Sequence, residues 1–114
     1  MPYLQIQTNV DVKPDQQSTL LANASLMVAN VLGKPESYVM VALQANTPML
    51  FAGTEQPTAF LELKSIRLPT ASTTELSQKL CAFIENSLKI PKDRVYIEFM
   101  NAEASLWGWN GRTF

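Results

Sequence analysis

Tyr3-Leu4-Gln5-Ile6-Gln7-Thr8 and Phe60-Leu61-Glu62-Leu63-Lys64-Ser65 decide the fold, because they are one element written twice. In each, apolar and polar side chains alternate, the pattern of a strand with a single buried face. A helical pattern of similar length follows each strand. After it come a proline, three polar or amphipathic residues and a β-branched run. These are Pro35-Glu36-Ser37-Tyr38-Val39-Met40-Val41 in the first half and Pro91-Lys92-Asp93-Arg94-Val95-Tyr96-Ile97 in the second. The chain therefore reads as a tandem β-α-β repeat with pseudo-two-fold symmetry. It is an α/β domain (α+β in some schemes) over residues 1–114, with two helices on one face of a four-stranded mixed sheet.

The first helix is predicted from Pro14 to Leu32, with Leu20, Leu21, Ala24, Met27, Val28, Val31 and Leu32 on one stripe and Gly33 as its stop. The second is predicted from Ser72 to Leu88, where Leu76, Leu80, Phe83, Ile84 and Leu88 recur at helical spacing. Between the halves, Pro48 to Phe51 reads as a short strand and Ala52-Gly53 as a turn, and near the end Asn110-Gly111 reads as a tight turn. Alternation assigns Leu4, Ile6, Val39, Val41, Leu43, Leu61, Leu63, Val95, Ile97 and Phe99 to the helix-covered face. The opposite face carries Tyr3, Gln5, Gln7, Tyr38, Met40, Phe60, Glu62, Lys64, Tyr96, Glu98 and Met100. That mixture is too apolar for water alone and too polar for a dry core, so packing against sister sheets around a symmetry axis is expected.

Composition points the same way. A chain that is 46% hydrophobic and only 17% charged is sparingly charged for a small monomer, which suggests an oligomer. Nine basic and ten acidic residues with no basic run leave no electrostatic footprint for nucleic acid or an anionic membrane, so neither is expected as a partner. The absence of histidine and the single Cys81 exclude an intrachain disulfide, a Cys/His metal site and a His-activated nucleophile. Cys81, in an apolar helical run, reads as a small packed hydrophobe. The first residues lack a secretion signal and no segment has the length of a membrane span, so the expected location is the cytoplasm.

Acid–base chemistry must then use carboxylates, lysines, tyrosines or the N-terminus. Pro2 follows Met1 directly, and removal of Met1 exposes a secondary amine. An ordinary α-amine titrates near ~7.7 to 8.0, and burial beside a cation disfavours its charged form. With Met1 attached, Pro2 is instead a tertiary amide with no basic lone pair.

Pro2, Thr8-Asn9-Val10, Gly33-Lys34-Pro35, Phe51-Ala52-Gly53, Ser65-Ile66, Asp93-Arg94-Val95-Tyr96-Ile97 and Gly108-Trp109-Asn110 with Thr113-Phe114 occur in that order along the whole chain. Together they resemble the macrophage migration inhibitory factor family of the tautomerase superfamily. The resemblance implies a homotrimer of β-α-β repeats, sites at subunit interfaces and an N-terminal proline acting as general base without a cofactor or metal. It casts Lys34 as anchor for a substrate carboxylate, although Gly33-Lys34 alone reads equally as a helix cap with a solvated lysine. Ile66 offers backbone and wall packing beside Pro2, or is simply a buried strand residue. Tyr96 reaches substrate across the subunit interface, or is a plain interface tyrosine. Tyr38, Trp109 and Phe114 resemble an aromatic rim for an aryl ring, or pack the trimer.

Departures from the family pattern are equally specific. Glu98 and Met100 stand where the mammalian form has asparagine and tyrosine, Trp107 replaces a smaller aliphatic residue at the pocket mouth, and Arg67 stands where glycine is frequent. The Cys-x-x-Cys of some relatives is absent, Pro57-Thr58-Ala59-Phe60-Leu61 occupying its place, so thiol–disulfide chemistry is not expected. The resemblance implies a phenylpyruvate-type keto-enol tautomerase acting on an aromatic 2-keto acid. Two alternatives stand beside it. One is a cytokine-like or intracellular interaction module with a vestigial pocket, for which extracellular action requires release without a signal peptide. The other is hydratase or dehalogenase chemistry on unsaturated acids from the same Pro2 base.

Overall fold

The structure, a computed structural model, describes residues 1–114. The chain forms β1 (Tyr3–Thr8), α1 (Pro14–Leu32), β2 (Met40–Gln44), β3 (Ala59–Ile66), α2 (Thr73–Leu88) and β4 (Val95–Ala102), then a small hairpin of β5 (Gly108–Trp109) and β6 (Arg112–Thr113). The first four strands make one mixed sheet in the order β2-β1-β3-β4. β1 is parallel to β2 and antiparallel to β3, and β3 is parallel to β4. No helix is long and apolar enough to cross a membrane.

The period-two pattern of the sequence is realised in the sheet. Leu4 and Ile6 of β1 and Leu61 and Leu63 of β3 are buried beneath Ala24 and Val28 of α1 and Leu76, Leu80 and Ile84 of α2. Gln5, Gln7, Glu62 and Lys64, at the alternate positions, are only half-buried. Cys81 is half-buried and packs against this core from α2. On the far face Met40, Tyr96 and Met100 stay exposed.

Polar groups that do enter the core are paired. The buried Thr8 hydroxyl donates to the Thr58 carbonyl at 2.8 Å and accepts from the Val10 N–H at 3.1 Å. Thr8→Val keeps the shape and strips both partners at once. An unpaired buried group costs about 1–3 kcal/mol, so the urea midpoint falls by the equivalent of about 2 kcal/mol with an unchanged m-value.

Helix ends place the residues that follow them. Pro14 opens α1 at its first turn, where the missing N–H is no loss. At the other end Gly33 turns left-handed at φ 61°, its N–H bonding Asn30 O and that of Lys34 bonding Ala29 O. This paired closure fixes the backbone of Lys34. α2 ends on Lys89, also left-handed at φ 59°, with one bond to Glu85 O.

Three expectations need correction. Within one chain Pro48–Phe51 is not a strand: Pro48 lacks an N–H, no strand of the same chain lies alongside, and only Phe51 pairs, bonding Thr54 in both directions at 3.0 and 3.1 Å. α2 begins at Thr73, because Thr70–Ser72 forms a preceding 3-10 turn. Tyr38 does not lie on the second sheet face, because Glu36–Tyr38 is a 3-10 turn that breaks the alternation before β2 starts.

The repeat extends beyond the β-α-β units. After β2, Phe51–Thr54 folds tightly over Ala52 (φ 53°) and Gly53 (φ 75°), and after β4, Trp109–Arg112 folds over Asn110 (φ 55°) and Gly111 (φ 74°). Two successive positive φ values are those of the hairpin turn whose twist matches paired strands. The Trp109 hairpin packs on Tyr38, in the 3-10 turn after Pro35. The Phe51 hairpin packs on Arg94, in the 3-10 turn after Pro91. The two ends of the sheet are thus built to one plan.

Candidate active site at the start of the first strand

Pro2 precedes β1 and is fully buried, its carbonyl accepting the Met40 N–H at 3.0 Å. It sits in a cleft of about 530 Å³ whose walls include Tyr38, Val39, Met40, Trp107, Trp109 and Phe114. The sequence folds this way because β2 pairs with β1 in parallel, which brings the turn carrying Tyr38 beside the chain start. The C-terminal hairpin then covers the same end, tied by Phe114 N–H to Trp107 O at 3.2 Å.

The aromatic side chains form one assembly. Trp109 and Phe114 stack at 5.5 Å with 13° between planes, and the Tyr38 edge meets Trp109 at 5.6 Å and Phe114 at 6.1 Å. Such contacts stabilise by about 0.5–1.5 kcal/mol each beyond area burial and hold the rings in fixed attitudes. Arg112 places its guanidinium 5.3 Å from the Trp109 centroid.

Beside this apolar cleft stands one organised cation. Lys34 Nζ donates to the Ile66 carbonyl at 3.2 Å, and the buried Ser65 hydroxyl donates to the same oxygen at 2.9 Å. The antiparallel register of β1 and β3 runs Tyr3 opposite Lys64, which brings Ser65 and Ile66 alongside the chain start. The amine of Met1 titrates below its ordinary value, chiefly through burial and further through repulsion from the Lys34 ammonium. A base here is thereby biased towards its neutral form.

Pro2, Tyr38, Trp107, Trp109 and Phe114 meet around the cleft; Lys34 and Ile66 do not line it but are bonded to each other where β3 runs beside the chain start. Tyr96 is elsewhere: it pairs with Phe60, which pairs with Gln7, about five residues along β1 or roughly 17 Å from Pro2. Within one subunit it cannot reach the cleft. Arg67 is exposed, left-handed at φ 56° and outside the cleft, and Glu98 faces outward from β4. Sequence reasoning did not anticipate Ser37, Val39 and Met40 as walls or Ser65 as a second donor to Ile66. The signal for the walls is the proline-led turn before β2, which sets Ser37, Val39 and Met40 beside the chain start.

Comparison with known proteins agrees with this architecture. The profile of one family, described as macrophage migration inhibitory factor (MIF), matches residues 1–114. The chain belongs to the MIF family. It is 43% identical to the macrophage migration inhibitory factor homolog of Brugia malayi over 116 residues, covering 100% of this chain and 99% of that one. The crystal structure of the MIF homologue from Prochlorococcus marinus superposes with a TM-score of 0.91 at 47% identity, over 98% of each chain. That of MIF from Trichinella spiralis gives 0.90 at 36% identity, over 98% of this chain and 99% of that one. The two helices on a four-stranded mixed sheet are thus the MIF fold.

Proposed function

We propose that this MIF-family chain is a phenylpyruvate-type keto-enol tautomerase, working without a cofactor, whose base is Pro2 once Met1 has been removed. The observation that carries the reading is the burial of Pro2 in an aromatic-walled cleft, with the Lys34 ammonium bonded to Ile66 where β3 runs beside the chain start. An aryl 2-keto acid has the matching parts: an apolar ring, a carboxylate and an acidic C–H between them.

The neutral amine takes a proton from C3 of the keto acid. The electrons of that C–H bond become the C2–C3 double bond, solvent water protonates the carbonyl oxygen to give the enol, and the Pro2 ammonium returns a proton to solvent to restore the neutral base. In the reverse direction the Pro2 ammonium returns its proton to C3. Lys34 holds the carboxylate, Ile66 contributes backbone and wall beside it, and Tyr38, Trp109 and Phe114 receive the ring, with Trp107 narrowing the mouth. In the homotrimer that the family resemblance implies, Tyr96 of the partner subunit supplies a hydroxyl at the substrate. Its distance from the Pro2 of its own chain is compatible with that arrangement.

The test compares substrates. Burying a phenyl ring contributes about 1.5–3 kcal/mol, so kcat/KM for phenylpyruvate exceeds that for pyruvate by about 10- to 100-fold. Ultraviolet absorbance of the enol, followed on protein shown by intact mass to begin at Pro2, gives the ratio. No turnover of either acid by such protein rejects the enzymatic reading in favour of an interaction module.

A further inference from the structure

The Phe51 hairpin answers, at the far end of the sheet, to the hairpin that closes the candidate active site. There it meets an arginine instead of a tyrosine. The Arg94 guanidinium spends its donors on one loop: Nε on Pro57 O at 2.9 Å, Nη1 on Phe51 O at 3.1 Å, and Nη2 on Gln56 O at 3.0 Å and Thr54 O at 3.3 Å. It also lies 5.2 Å from the Phe51 ring centroid. Asn9 holds the same loop from the end of β1, donating to Glu55 O and Gln56 O and accepting from the Thr58 N–H. The Thr58 hydroxyl closes the circuit on Arg94 O at 2.7 Å.

Every bond made by the Arg94 guanidinium and by the Asn9 side chain uses a backbone group of the loop, so substituting the Phe51 side chain leaves these bonds in place. One side chain is nevertheless aimed. The Phe51 ring lies on Tyr96 at 4.6 Å between centroids, inclined by 33°. Beyond this contact, 62% of Tyr96 is left exposed by its own chain. A side chain whose attitude is not already set costs about 0.5–1.5 kcal/mol to order when it binds, and the Phe51 ring sets that of Tyr96 from within its own chain.

We propose that Phe51, held by Arg94, is a positioning residue for Tyr96: it pre-sets the ring so that the hydroxyl is presented to substrate without a further loss of side-chain freedom. This rests on Tyr96 being a substrate contact, as in the function proposed above. Neither Phe51 nor Arg94 lines the cleft of its own chain.

The test is a double-mutant cycle with Phe51→Leu, which keeps the backbone carbonyl that Arg94 binds and removes only the ring. In the Tyr96 protein, Phe51→Leu raises KM for phenylpyruvate by about 3- to 10-fold with kcat nearly unchanged. In a Tyr96→Phe background, whose own KM is already raised, it adds nothing further. A second readout is independent of turnover. The chain has three tyrosines, so fluorotyrosine labelling gives a resolvable 19F spectrum in which the Tyr96 signal moves and broadens in Phe51→Leu and in Arg94→Lys. If Phe51→Leu raises KM equally in both backgrounds, or leaves KM and the Tyr96 signal unmoved while Tyr96→Phe is impaired, the positioning role is overturned. If Tyr96→Phe itself leaves KM unchanged, Tyr96 is no substrate contact, and that separate result removes the premise and the proposal with it.

Discussion

Placing one alanine between Met1 and Pro2, so that the processed chain begins Ala-Pro, abolishes ketonisation of phenylpyruvate while leaving the fold intact. Pro2 keeps its ring and its burial, and its carbonyl still accepts from Met40 N–H. Only the nitrogen lone pair is lost to an amide. General-base catalysis contributes about 10²–10⁴-fold, and the insertion forfeits that range in kcat/KM. Pro2→Ala is the complementary variant. It leaves a primary amine in a less constrained position and falls by about 10²-fold, since misplacement of a base by about an ångström suffices for such a loss. Intact mass fixes each N-terminus and thermal melting confirms folding. Turnover undiminished in the Ala-Pro protein sinks the assignment of Pro2 as base.

Lys34→Ala carries the second large effect, and it acts on two observables. A charge-assisted hydrogen bond to a carboxylate is worth about 1.5–3 kcal/mol, so KM rises by about 10- to 100-fold. The pH profile moves as well. Burial, and after it repulsion from Lys34, lowers the pKa of the Met1 amine, and the Pro2 amine that replaces it as the chain terminus is expected to meet the same cation. Without that cation the ammonium form is less disfavoured, the pKa of the base rises, and the acid limb of kcat/KM shifts to higher pH. Activity near neutrality therefore falls more than KM at high pH alone accounts for. Lys34→Arg restores the limb, because the charge is kept, but restores KM only in part, because the shape of the donor differs. A raised KM with an unmoved limb separates Lys34 from the base and leaves it as a binding residue only.

Much of this architecture is legible from local pattern. The strands at Tyr3–Thr8 and Phe60–Ser65 and the helix at Pro14–Leu32 follow from side-chain periods that operate within a few residues, and Gly33 marks its own stop. Pro48–Phe51 misled because strand character belongs to a pair and no partner for that segment exists in the sheet of its own chain. Tyr38 escapes alternation for a related reason: the 3-10 bonds of its turn, Tyr38 N to Pro35 O and Val39 N to Glu36 O, reset the phase before β2 begins. The site was less legible. Lys34 meets Ile66 across 32 residues of chain, and Arg94 meets the Phe51 loop across 36 to 43. No periodicity encodes such encounters. The aromatic group of Tyr38, Trp109 and Phe114 was anticipated only through family resemblance, since nothing in a local window ties residue 38 to the last six.

The duplicated plan of the two sheet ends bears on why they differ. Doubling a β-α-β unit doubles strands, turns and hairpins, yet a covalent chain has only one free α-amine. The residue that answers to Pro2 in the second half is Ala59, buried inside a continuous backbone with its nitrogen committed as an amide. A reaction that needs a terminal amine can therefore live at one end only. The other end has no free amine to offer as a base, and Arg94 with a lattice of carbonyls fills it instead. Asymmetry of function in this repeat is a matter of counting chain ends.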